Sequence, residues 1–309
     1  MLDKPLVTGF KIATLTKIAT SVAVFDFVST LSLSYFFPQL DFRLSLLITG
    51  LIFLGMPHGA MDVYILSQQL KSKKQMLLAL AVYICTTLPI LILWPLYPSA
   101  CFLFFLSYSL VHFADSDMQD RISSKKLRII EFLARVNLPF CLPFIFHQNE
   151  TLELVKWIHP NVDLLAAKNV FLVLGYFSLS FVVVHTCLGV LRLVRNFKDA
   201  DVAFFEPVVI CALFIFINPL YALGIYFCFI HSIKHVVNVL YKVKVQFPLK
   251  ILPYWLFPLA GLPILFFIYS SNVELLGQRI FQYIFIILSS LALPHALLIR
   301  YAKSKFIIN

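Results

Sequence analysis

Apolar residues in this chain fall in long unbroken runs, not in the alternation of a sheet or the narrow stripe of a soluble helix. A run of about 20 mostly apolar residues is the length a helix needs to cross a bilayer. The helix is favoured there because lipid cannot satisfy an open backbone. Ten such segments are legible, near 14–37, 44–66, 75–97, 99–118, 136–148, 169–191, 203–218, 219–241, 251–270 and 280–300. The fifth and seventh are short, so eight to ten spans are expected. Tight turns at Pro98 and Pro219 join the third segment to the fourth and the seventh to the eighth. The predicted fold class is all-α: one polytopic transmembrane helical bundle over residues 1–309, with no soluble domain. The longest interval between runs, 149–168, contains Trp157, His159 and Pro160 and is expected to hold an interfacial helix on the outer side.

Polar residues between the runs are sorted by charge. Basic residues cluster after the even-numbered segments: Lys71, Lys73 and Lys74; the stretch Arg121 to Arg135; Arg192, Arg195 and Lys198; Lys242 to Lys250; and Arg300 to Lys305. After the odd-numbered segments stand only Arg43, Lys156, Lys168 and Arg279. Loops rich in Lys and Arg stay in the cytoplasm, which predicts that both termini are cytoplasmic. Lys4, Lys11 and Lys17 precede the first run with no small-residue cleavage site after it, so a retained first helix is expected.

Composition sharpens this picture. Hydrophobic residues make up 61% of the chain and charged residues 13%, with a mean hydropathy of +0.90. Those values exclude a disordered chain, a collagen or a coiled coil, and disfavour a soluble enzyme. The net charge of +10 would suggest nucleic acid in a soluble protein. Here it lies in short runs beside apolar segments and reads as topology, so no nucleic-acid partner is expected. Six cysteines, all in apolar stretches and without a CxxC pair, read as small buried hydrophobes.

Eight histidines remain: His58, His112, His147, His159, His185, His231, His235 and His295. An ionisable side chain at membrane depth is costly, which makes each a functional candidate, with packing against a neighbouring helix as the plain alternative. His58, His112, His231, His235 and His295 lie on segments two, four, eight and ten, all of which run inward. His58 precedes Lys71 by 13 positions and His295 precedes Arg300 by 5. The five therefore fall within a layer roughly 12 Å deep in the inner half of the bilayer. His231 and His235, at i and i+4, share one helix face and can grip one metal ion. His58 and His112 could complete four neutral nitrogens, a set suited to iron, copper, nickel or zinc. Asp62, four after His58, and Asp115, three after His112, could each accept a second imidazole N–H and hold the ring's tautomer. The alternative for Asp115 and Asp117 is a helix end near the headgroups. Lys234 could snorkel or pair with Glu206. His185 reads as a packing residue, and His147 and His159 lie outside the layer. Tyr108, Phe113, Tyr226, Phe227 and Phe229 lie close to the layer as possible lining for an apolar substrate.

The element Gly55-Met56-Pro57-His58-Gly59-Ala60-Met61-Asp62, with His112-x-x-Asp115, His231-x-x-x-His235 and Pro294-His295, resembles the Brp/Blh family of integral-membrane β-carotene 15,15′-dioxygenases. The resemblance covers nearly the whole chain. It implies a non-haem iron(II) centre held by His58, His112, His231 and His235, with His295 as site support or substrate contact. It implies that dioxygen splits the central double bond of β-carotene into two retinal molecules, which then serve a rhodopsin. It also implies a cell-membrane location, the bacterial inner membrane. Val63 departs from the pattern, standing where a polar residue, often histidine, is expected. Two other readings use the same histidines. A membrane di-iron desaturase or hydroxylase needs about eight of them in clustered boxes, and no HxxHH occurs here. A metal or proton transporter fits broken helices at Pro57 and Pro294, but no inverted repeat is legible. A bis-histidine haem protein is a third.

Overall fold

The computed structural model describes residue 35 and residues 49–70, 72–118, 124–159, 168–195, 206–236 and 276–306. Among them every regular element is helical. In chain order these are a π-helical turn Leu51–Gly55 leading into α1 (Met56–Gln69), then α2 (Lys73–Leu93), α3 (Pro98–Asp117), α4 (Lys125–Arg135), α5 (Leu138–Phe146), α6 (Gln148–Ile158), α7 (Lys168–Arg195) and α8 (Glu206–Phe216). After them come α9 (Pro219–Gly224), a second π-helical stretch Ile225–Ser232, and α10 (Leu276–Phe306). The expected first helix at 14–37, the ninth segment at 251–270 and the basic stretch Lys242–Lys250 lie outside the described residues.

Local chemistry explains most helix starts. Pro98 and Pro219 open α3 and α9, where a missing N–H costs nothing. Ser72 caps α2 by accepting from the Lys74 amide at 3.3 Å, and Asn218 caps α9 by accepting from the Leu220 amide at 3.1 Å. α2 shows why this fold needs an apolar solvent. It is almost wholly apolar yet only 6% of its span is buried, and Leu77, Leu78 and Ile92 stay exposed. A helix left apolar on its outside is stable against lipid, not water. Four described helices are long and apolar enough to cross a membrane: α2, α3, α7 and α10. The pair α4 and α5, bent by 43°, makes a possible fifth.

That bend corrects one expectation. The stretch Arg121 to Arg135 was expected to be a cytoplasmic loop, but from Lys125 onward it is helix α4, whose last residue, Arg135, is buried. Its charge is held by carboxylates rather than by water, as described below. Segment 149–168 does contain a helix, α6, in its first half.

α10 is the hub. It packs against α1, α2, α3 and α6, while α7 covers α4 and α5. Phe285 on α10 meets Trp94, Phe102 and Phe105 at ring-centroid distances of 6.2, 6.0 and 5.1 Å. A second core cluster joins Phe113, Leu138, Leu142, Ile210, Phe214 and Tyr226. The two π-helical stretches pack on each other, and glycine permits it. A Cβ at Gly50 would stand 2.9 Å from the Cys228 sulfur, and one at Gly55 would stand 2.8 Å from the Phe227 ring. The helix that leads to His58 can therefore lie directly on the helix that carries His231.

Candidate metal centre

Three elements bring four imidazoles together. His112 sits near the end of α3, His231 at the end of the second π-helical stretch, His235 just beyond it, and His295 after Pro294 in α10. Their ring centroids lie 5.5 Å apart for His112–His231, 6.4 Å for His112–His235, 5.0 Å for His112–His295, 6.2 Å for His231–His235 and 5.1 Å for His235–His295. His231, His235 and His295 are buried. His58 is on α1, one turn before Asp62, and its side chain lies outside the described ones. π-Helical turns, with i→i+5 bonding, occur often at functional sites. Here the Ser232 hydroxyl donates to the carbonyl of Phe227, five residues back, at 2.7 Å.

Two carboxylates orient two of the rings. Asp117 accepts from His231 Nδ1 at 3.0 Å and from the Tyr226 hydroxyl at 2.7 Å. Asp62 accepts from His295 Nδ1 at 2.8 and 2.9 Å and from the Tyr83 hydroxyl at 2.8 Å. An ionised carboxylate only accepts, so each Nδ1 must donate. The neutral ring then carries its lone pair on Nε2. Asp117 is the last residue of α3, as its alternative reading had it, but it is 2% exposed and bonded to a site histidine. Asp62 is a partner of a histidine, as expected for its type, but of His295 on α10. Asp115 stays half-buried on α3.

A charged chain runs outward from Asp117. Lys234 Nζ donates to the Asp117 carbonyl at 3.2 Å and pairs with Glu206, the pairing anticipated from sequence. Glu206 also takes Arg135 at 3.1 Å, and Arg135 holds Glu131 at 3.0 Å. Glu131 and Arg135 are buried, so each needs the other's charge. Removing one partner of a buried pair typically costs about 3–5 kcal/mol. Arg135→Met is therefore expected to lower the thermal unfolding midpoint of detergent-solubilised protein sharply. An unchanged midpoint would show that the two glutamates do not depend on Arg135.

Aromatic rings wall off the histidines. Phe113 stands 4.4 Å from the His231 ring, and Phe227 stacks on it at 5.9 Å with 19° between planes. Both were anticipated near the layer. Tyr108 donates instead to the Ser289 carbonyl at 2.5 Å, fixing α3 to α10. Away from this cluster, His147 bonds the Ile215 carbonyl at 3.1 Å, and His185 is fully buried on α7.

By donor type the residues suit a transition-metal ion, and the rings are spaced, pair by pair, as two ligands of one ion can be. Two imidazoles that share an ion at about 2.1 Å have centroids roughly 4.5–6.5 Å apart, and the five pairs fall inside that range. The rings surround a common space without closing on a point: among the described residues no three His, Cys, Asp or Glu side chains gather tightly enough to hold an ion. Any set that includes His58 extends beyond those residues.

Apolar helices with apolar outer faces, wrapped around a buried layer of carboxylate-braced imidazoles, define a membrane-type helical bundle with a histidine-lined centre. The chain belongs to the Beta-carotene 15,15'-dioxygenase family, whose model matches residues 49–303. Membership makes it an enzyme, a carotenoid-cleaving oxygenase. The Beta-carotene 15,15'-dioxygenase of the uncultured marine bacterium 66A03 is 27% identical over 262 residues, covering 81% of this chain and 90% of that relative. No solved structure matches the chain.

Proposed function

We propose that this protein uses dioxygen to cleave the central 15,15′ double bond of β-carotene at a ferrous ion held by His58, His112, His231 and His235. The bond between the two central carbons breaks, each carbon takes one oxygen atom, and two molecules of retinal leave. The observation that carries the reading is that His112, on α3, gathers with His231 and His235, from a second segment, around one space. Family membership supplies the substrate class.

Bound iron supplies the dioxygen chemistry. The chain's own residues do the rest. Four neutral imidazoles would hold such an ion without cancelling its charge. Asp117 takes the Nδ1 proton of His231 and so holds its Nε2 as a donor, with Asp115 beside His112 in a supporting part. Phe113 and Phe227 keep water from the His231 ring. Tyr226 pins the Asp117 carboxylate, so the brace cannot rotate away. A carotenoid dissolves in lipid, which suits entry sideways through the bundle and needs no soluble domain.

The same reading places the protein in the cell membrane, the bacterial inner membrane, with eight to ten spans and both termini cytoplasmic. The basic loops support that orientation. Retinal is passed onward, with a rhodopsin as the acceptor in this reading. Expression in a β-carotene-producing bacterium tests the reaction. Loss of carotenoid colour with retinal in the chromatogram supports it. Persistent colour, or products longer or shorter than retinal, overturns it.

A further inference from the structure

We infer that His295 is a ligand of the same metal ion as His112, His231 and His235, binding through Nε2, with Asp62 and Tyr83 as its support. This rests on the iron reading above and extends it beyond the four-histidine set.

Three observations carry it. The first is position. The His295 ring lies 5.0 Å from His112 and 5.1 Å from His235, the two shortest separations in the cluster. It packs on two of the three other described rings.

The second is a repeated arrangement. Tyr226–Asp117–His231 and Tyr83–Asp62–His295 are the same three-residue relay, built twice from unrelated segments. In each, a tyrosine hydroxyl and an imidazole Nδ1 share one buried carboxylate. A carboxylate on the far nitrogen of an imidazole is the usual companion of a metal-bound histidine, because it fixes the ring and raises its basicity. If His231 is so equipped in order to bind metal, the matching equipment of His295 has the same explanation.

The third is charge and proton placement. Asp62 is 2% exposed, and among the described residues it forms no pair with a lysine or arginine. A buried carboxylate needs a positive partner. A metal ion on the opposite face of His295 provides one through the ring. Asp62 engages Nδ1, so Nε2 is the nitrogen through which the ring would bind a cation.

The test uses full-length, detergent-solubilised protein loaded with cobalt(II), whose visible d–d bands report coordination number. Relative to the parent, His295→Ala is expected to intensify and shift those bands as one ligand is lost, and to weaken metal retention by at least the roughly 10–100-fold that loss of a supporting partner alone costs. Added imidazole is expected to enter the vacated space and return the spectrum toward the parent's, a rescue that a merely structural role would not give. Asp62→Asn keeps the buried volume and is the second variant, expected to shift the bands through His295 without removing a ligand. Unchanged bands in folded His295→Ala and in Asp62→Asn, with the parent loading normally, would overturn this inference alone. A parent that retains neither cobalt nor iron would overturn the iron reading, and this inference with it.

Discussion

His235→Ala is expected to reduce bound iron to background and to abolish retinal formation, while membrane insertion and the helical signal stay unchanged. The reason is geometric. His235 closes the His231–His235 pair, and its ring also lies 5.1 Å from His295 and 6.4 Å from His112. Among the described rings only His112 touches as many members of the cluster. Truncation to alanine leaves apolar space that no neighbouring donor fills, so the loss is of ligation and not of a bundle contact. Metal analysis of the purified variant beside the parent checks it. Full activity in His235→Ala would end the four-histidine account.

Asp117→Asn is expected to weaken metal retention about 10–100-fold, with a parallel loss of activity and little change in extraction yield. Asparagine keeps the shape but removes the charge to which two neighbours donate. His231 Nδ1 and the Tyr226 hydroxyl both donate to this carboxylate, at 3.0 and 2.7 Å. Lys234 lies against the same residue's carbonyl. With an amide in place of the carboxylate, the preference for a lone pair on His231 Nε2 weakens. Tyr226→Phe removes one of those hydrogen bonds and leaves the charge, so its effect should be smaller. A metal-release rate measured with a chelator ranks parent, Tyr226→Phe and Asp117→Asn in that order. Equal rates would assign Asp117 to packing.

Much of the architecture was legible because lipid imposes a simple rule: long apolar runs must be helices. Segments 75–97, 99–118, 169–191 and 280–300 reappear as α2, α3, α7 and α10. The reading failed where charge is buried. Arg135 looks like a loop cation in a linear reading because its partners are Glu131, four residues back, and Glu206, far along the chain. Only three-dimensional proximity turns it into a buried ion pair.

The candidate site divides the same way. The i, i+4 spacing of His231 and His235 is local, and so was readable. Asp117 was not, since its partner His231 is 114 residues away. Asp62 was expected as a carboxylate partner of a ring, but His295, 233 residues away, is the ring it holds. No local pattern encodes such pairs. A signal did exist for Asp117: a carboxylate at the end of an apolar span whose other late member is a candidate histidine. The π-helical turn through His231 had no sequence signal beyond its apolar, aromatic run.

The most direct measurement is iron and haem content of the purified, detergent-solubilised protein. The account predicts about one iron per chain and no haem, as one cluster of imidazoles around one centre requires. Two irons per chain would point to desaturase chemistry, stoichiometric haem to a haem protein, and no retained iron to a transporter. Each of those results would contradict it.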